Sequence, residues 1–203
     1  MLYWLFIPIA GLIISGVNIL CKTAEIWYIF VAVFGSIVAV ILVDALTATL
    51  VRWVLPKKWF SVNSKMFNVK KKETIFYEKI GIKKWKDKIP ELGSLTGFSK
   101  GKIADPKNNE FIERFILESH YGIGVHFVGM VLGFVIIFIF PLKFWYCFGL
   151  PVAIVNLVYN LLSYMILRYN LPKLKVLHKY NLRHQPKPIE DAKTSEKKEE
   201  DIA

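Results

Sequence analysis

Four long stretches of this chain carry almost no charge, and nothing else in the sequence constrains its fold as tightly. They run over roughly residues 2–20, 26–55, 122–140 and 144–167. Each is close to or longer than the about 20 residues a helix needs to cross the hydrocarbon of a bilayer. A helix on the surface of a soluble core shows a polar face at helical period, and these stretches do not. The expected fold is therefore all-α, an integral membrane bundle of four helices. Residues 1–182 form its membrane domain, and residues 183–203 form a Pro-, Lys- and Glu-rich tail expected to be disordered.

Topology follows from the cations. Of the 27 Lys and Arg residues, 25 lie either within Arg52–Arg114 or after Leu167. The links between the first and second stretches and between the third and fourth hold one lysine each, Lys22 and Lys143. Cytoplasmic segments concentrate Lys and Arg, so the long loop 56–117 and the tail are placed inside. The spans then form two hairpins with both termini cytoplasmic. A re-entrant first segment is the alternative, because Gly11, Ser15, Gly16 and Asn18 weaken that stretch. Met1-Leu2-Tyr3-Trp4 lacks a basic start and no A-x-A site follows, so the first span is expected to be retained.

The net charge of +11 could suggest nucleic acid, but the basic residues adjoin spans and read as topology signals and lipid contacts. Cys21 and Cys147 have neither CxxC nor metal spacing and are expected to be apolar filler, and no metal site is expected. Gly-rich phosphate loops, HExxH and G-x-S-x-G are lacking. In the loop, Thr74–Ile82 has an amphipathic pattern, and Lys83-Lys84-Trp85-Lys86 interleaves cations with an aromatic ring. This segment is expected to lie on the cytoplasmic leaflet, with Gly93, Gly97, Gly101 and Pro106 marking looser loop beyond it.

Polar side chains inside spans are costly and need a partner or a function. Three groups qualify. At the start of the third span, Glu118, Gly122, His126, Gly129 and Gly133 share one helical stripe, in a run that also contains His120. Glu118 and His126 are about 12 Å apart by helix rise and cannot touch. The stripe reads either as a site or as a packing seam, since Gly129-x-x-x-Gly133 admits a second helix and could support a homo-oligomer. On the fourth span, Asn156, Asn160, Ser163 and Asn170 share a face that ends at Arg168, a cation suited to phosphate. These amides either bond facing helices or line a wet cavity. In the second span Asp44 stands with Thr47 and Thr49, while Arg52 is two turns away. His178 and His184 are expected to be solvated.

Several of these residues carry a family resemblance. The segment Trp85-Lys86-Asp87-Lys88-Ile89-Pro90-Glu91, the Glu118-Ser119 pair with His126, and Asn160 with Arg168-Tyr169-Asn170-x-Pro172-Lys173 occur in this order. The set resembles the glycosyl-4,4'-diaponeurosporenoate acyltransferase family over roughly Trp59 to Lys175. The run departs from the family pattern at Ser119, Tyr121, Ile123 and Phe127, with Ile123 standing where a second Glu is expected. The resemblance implies a multi-pass protein of the bacterial plasma membrane. It would move a fatty acyl group from acyl-CoA or an acyl carrier to a hydroxyl of a lipid or glycosylated isoprenoid, with no bound cofactor. Its partners would be membrane lipids and a lipid-linked acceptor, without nucleic acid. On the acyl-transfer reading His126 is the general base, with Glu118 or Asp44 orienting it or binding the acceptor. Arg168, Asn160 and Asn170 would hold donor phosphate or the oxyanion, and His120 would line the site. The alternative is a non-catalytic lipid- or isoprenoid-binding or transporter-like protein.

Overall fold

The computed structural model describes residues 2–89 and 105–184, with residues 2–4 as backbone alone. The described residues are helical, and no strand occurs among them. Helix α1 spans Leu2–Leu20 and α2 spans Ile26–Trp53. Their link turns on Lys22 in the left-handed region (φ 51°), with Thr23 N–H donating to the Asn18 carbonyl. A 3-10 turn, Lys57–Phe60, follows the end of α2. The short helices α3 (Lys71–Lys79) and α4 (Ile82–Trp85) are hinged at Gly81, whose φ of 70° favours a residue without a Cβ. Helix α5 spans Asn109–Leu132 and tightens into a 3-10 segment, Gly133–Ile139. A π-helical turn, Trp145–Gly149, leads into α6, Leu150–His184.

Three helical runs are long and apolar enough to cross a membrane: Ile26–Trp53, Asn109–Ile139 and Leu142–His184, with Leu5–Leu20 as a shorter apolar helix. Their outward faces are apolar: Phe34 on α2 and Phe138 beyond α5 are 60% and 69% exposed. Such faces suit lipid and would be untenable in water over this area.

Two helices extend further than their uncharged stretches. Helix α5 begins at Asn109, not near residue 122, capped by the Asn108 side chain accepting from the Phe111 N–H at 3.1 Å. Helix α6 runs to His184, past both the expected exit at Leu167 and the expected start of the tail at 183. Charge marks where lipid ends, not where a helix ends. In these extensions apolar residues continue at helical spacing: Ile112, Phe115 and Ile116 on α5, and Leu167, Leu171 and Leu174 on α6 are buried. They pack with Val51, Phe60 and Phe67 into the largest core cluster, which is therefore built at the loop-bearing end of the bundle. His178, expected in solvent, belongs to this end: its Nδ1 lies 2.7 Å from Asn109 Oδ1 and its Nε2 3.7 Å from Glu113. His184 is exposed, as expected.

The amphipathic segment packs on α6 rather than lying free. Tyr77 and Ile82 are buried against Ile166 and Tyr169, while Ile75, Phe76 and Ile80 remain exposed. Pro90, Glu91, Gly93, Gly97, Gly101 and the tail after His184 lie outside the described residues.

At the opposite end the 3-10 and π segments cross closely. A Cβ on Gly149 would stand 2.9 Å from the Ile137 Cα, so only glycine fits. Asn18 fastens α1 there, donating to the Cys147 carbonyl at 3.0 Å.

Candidate functional site

Three helices each carry two polar residues eight positions apart: Asp44 and Arg52 on α2, Glu118 and His126 on α5, Asn160 and Arg168 on α6. Eight residues is about 12 Å of rise. Helix α5 runs antiparallel to the other two, so the six residues fall into two layers.

The deeper layer lies within the spans. His126 Nδ1 is 2.8 Å from Asn160 Oδ1. Asn160 Nδ2 donates to Asp44 Oδ1 at 3.4 Å, to Asn156 Oδ1 at 3.0 Å and to the Asn156 carbonyl at 3.2 Å. Asn156 Nδ2 in turn donates to the Gly129 carbonyl at 3.3 Å. Asn156 and Asn160 are buried, and Asp44 and His126 are half-buried. The glycines make this packing possible. A Cβ at Gly129 would lie 3.0 Å from Asn160 Oδ1 and 3.3 Å from Asp44 Oδ1, and one at Gly133 would collide with Asn156 Nδ2. The Gly129/Gly133 face is thus filled by α6 of the same chain. A second copy packed through Gly129 and Gly133 would have to displace α6.

The outer layer is ionic. Arg52 Nη2 meets Glu118 Oε2 at 2.6 Å and Arg52 Nη1 meets Oε1 at 3.4 Å, with the guanidinium 5.0 Å from the Tyr121 ring centroid. Arg168 grips Glu73 with two bonds, Nε to Oε1 at 2.8 Å and Nη2 to Oε2 at 2.6 Å. It also donates to the Phe67 carbonyl at 3.3 Å and the Asn68 carbonyl at 3.4 Å. Tyr77 completes the carboxylate shell, its hydroxyl donating to Glu73 Oε1 at 2.6 Å. Burial pushes the Glu73 carboxyl up, but the bonds from Arg168 and Tyr77 outweigh it and hold the group below the usual carboxylate range. Burial and the adjacent Glu73 carboxylate push the Tyr77 hydroxyl in the other direction, well up. This layer ties the segment between α2 and α4 to α6, helped by Lys175, which donates to Asn68 Oδ1 at 3.0 Å.

The expected site residues therefore divide. Asp44, His126 and Asn160 come together. Glu118 is held by Arg52 a layer away from His126, and Arg168 is turned to Glu73. No hydrogen bond among the described residues joins Asn170, which is half-buried, to either layer. His120 stands apart from both layers. It is fully buried, stacked on Phe67 with centroids 4.6 Å apart, and its Nδ1 lies 3.1 Å from the Ser61 carbonyl. Six residues turn a helix by about 240°, so His120 faces the core while His126 faces α6. The residues overlooked as partners were Arg52 and Glu73. The shared eight-residue spacing was the signal for Arg52. Glu73 lay beyond any spacing argument, being 95 residues from Arg168.

Away from both layers, an apolar cavity of about 260 Å³ lies between α1 and α2, lined by Pro8, Gly11, Ser15, Val33, Phe34 and Ile37 among others.

Comparison with known proteins gives one family. The model described as glycosyl-4,4'-diaponeurosporenoate acyltransferase matches residues 56–179, more than half of the chain. That range includes Glu73, Glu118, His126, Asn160 and Arg168 but not Asp44 or Arg52. No curated protein and no solved structure matches.

Proposed function

This chain belongs to the glycosyl-4,4'-diaponeurosporenoate acyltransferase family, and from that premise we propose that it transfers a fatty acyl group from an activated thioester to a hydroxyl of a glycosylated isoprenoid or related lipid. Acyl-CoA or an acyl carrier is the co-substrate, and no cofactor stays bound. In this reading the chain crosses the bacterial plasma membrane four times as two hairpins, with the loop 56–117 and both termini inside. The excess of Lys and Arg in the loop and tail supports that orientation. The donor then arrives at the ionic layer and the acceptor from the bilayer, among the surrounding lipids.

The observation that carries the reading is the imidazole at mid-span, beside an amide and a carboxylate. His126 Nε2 takes the proton of the acceptor hydroxyl as its oxygen attacks the thioester carbon. The carbon–sulfur bond breaks, and the proton passes to the departing thiolate, giving ester and thiol. An ionised carboxylate has room for about four hydrogen bonds. Among the described residues Asp44 receives one hydrogen bond, from Asn160, so its remaining positions suit acceptor hydroxyls. Arg52 and Arg168 act at the donor's end, opening from Glu118 and Glu73 when phosphate arrives, and Asn170 borders that end.

One observation favours a second reading, a non-catalytic lipid-binding protein: Glu118 and Arg168 are already paired within the chain. Turnover separates the two. Protein in bilayer discs, given acyl-CoA and glycosylated carotenoid acid, should form ester detectable by mass spectrometry. His126→Ala should lower kcat by 10²-fold or more, the order expected for removing a general base. Equal ester formation with and without protein would establish the second reading.

A further inference from the structure

The deep layer contains an amide whose orientation is decided by its neighbours. All three groups facing the Asn160 Nδ2 are acceptors: a carboxylate oxygen of Asp44, the Asn156 carbonyl and the Asn156 Oδ1. The last is an oxygen because the other end of that amide donates to the Gly129 carbonyl. Flipping Asn160 would turn its oxygen on three oxygens and its NH2 group on the imidazole. The network therefore places Oδ1 against His126. An oxygen 2.8 Å from Nδ1 requires a proton on Nδ1, and in a neutral imidazole the lone pair is then on Nε2.

We propose that Asn160 is a positioning residue that fixes His126 in the Nδ1-protonated tautomer, with Asp44 and Asn156 fixing the direction of the Asn160 amide. This rests on His126 being the base, and it replaces the expectation that Asn160 binds donor phosphate or the oxyanion. A ring in the other tautomer presents an N–H where the substrate proton must go and is inactive as a base. The arrangement keeps the Asp44 carboxylate off the imidazole, with the neutral Asn160 amide between them. Within a span that matters, because a carboxylate touching the ring would stabilise imidazolium and weaken the base as a proton donor to the leaving group. The glycine at 129 is part of the device, since a side chain there would press on both Asn160 Oδ1 and Asp44 Oδ1.

The test uses the full chain in bilayer discs, labelled with nitrogen-15 histidine, with His126 assigned by its loss in His126→Gln. Nitrogen shifts distinguish protonated Nδ1 from protonated Nε2 directly, without turnover. The native protein should show Nδ1–H. Asn160→Leu should shift the ring toward Nε2–H and lower kcat by about 10²-fold, with KM for both substrates within about threefold. Asn160→Gln keeps both ends of the amide, so it should move the tautomer less than Asn160→Leu does and regain about tenfold of the kcat lost there. Nε2–H in the native protein would overturn the proposal, as would native kcat in Asn160→Leu when His126→Ala is inactive. Native turnover in His126→Ala would instead sink the functional reading, while the tautomer measurement would still decide the role of Asn160.

Discussion

The two polar layers sit about 12 Å apart on the same three helices, yet they are built from different chemistry. The outer layer consists of two Arg–Glu pairs, and one of them is closed further by a tyrosine hydroxyl and two backbone carbonyls. The inner layer uses two amides, an imidazole and one carboxylate, joined by single bonds of 2.8–3.4 Å. Toward the loop-bearing end, charge is held by opposite charge. Deeper among the apolar helices each added ion is expensive, so neutral amides do most of the linking. The layer with more bonds is the structural one. The layer with open acceptor positions on Asp44 is the one able to receive a substrate.

If that division holds, removing a cation from the outer layer should cost stability before it costs chemistry. The largest effect is expected for Arg168→Ala. Its side chain is 12% exposed, and its removal leaves the Glu73 carboxylate on α3 to Tyr77 and the Lys70 backbone. A loss of about 3 kcal/mol of stability in mixed micelles is expected. The pair also predicts a pH signature. The folded-state pKa of Glu73 lies below its unfolded value, so its contribution is complete above about pH 4.5 and disappears as pH falls through the lower folded value. The stability gap between native protein and Glu73→Gln should therefore narrow as pH falls below about 4.5. A gap that stays constant would show that the carboxylate's charge is irrelevant to the clamp.

The next largest effect probes the inner layer through its backbone. Gly133→Ala forces Asn156 to move, because the new Cβ would occupy the place of its Nδ2. Overpacking of this kind costs about 2 kcal/mol. If the inner layer is the reactive one, activity should fall further than the folded fraction does, since Asn156 helps hold Asn160 in position. Parallel losses of activity and of folded protein would make the inner layer another packing seam.

The division between layers was only half legible in the sequence. The uncharged stretches identified apolar helices suited to a membrane, and the cost of buried polarity singled out Asp44, His126 and Asn160. The extensions of α5 and α6 were legible too, in the periodic run from Ile112 to Ser119 and from Leu167 to Leu174, but charged neighbours such as Arg114 and Lys173 masked them. The pairing of Arg168 with Glu73 could not be read, because it depends on how the segment between α2 and α4 folds back on α6. Similarly, nothing in the spacing says that His120 faces the core until Phe60, Ser61 and Phe67 are brought beneath it.

Arg52→Ala should have the smallest effect, although it removes the partner of the residue once expected to join His126 in catalysis. Arg52 is 39% exposed at the end of its helix, where water and salt screen the pair. It also lies over the Tyr121 ring, a contact that adds about 0.5–1 kcal/mol at an exposed site. A loss of about 1 kcal/mol is expected, shrinking as salt is raised. The informative quantity is KM. If Arg52 holds Glu118 aside until a phosphorylated donor arrives, the variant should raise KM for acyl-CoA severalfold and leave kcat within about twofold. A fall in kcat with unchanged KM would mean that the Arg52–Glu118 pair acts on the chemistry of His126 across the intervening two turns, and the separation into a holding layer and a reacting layer would then fail.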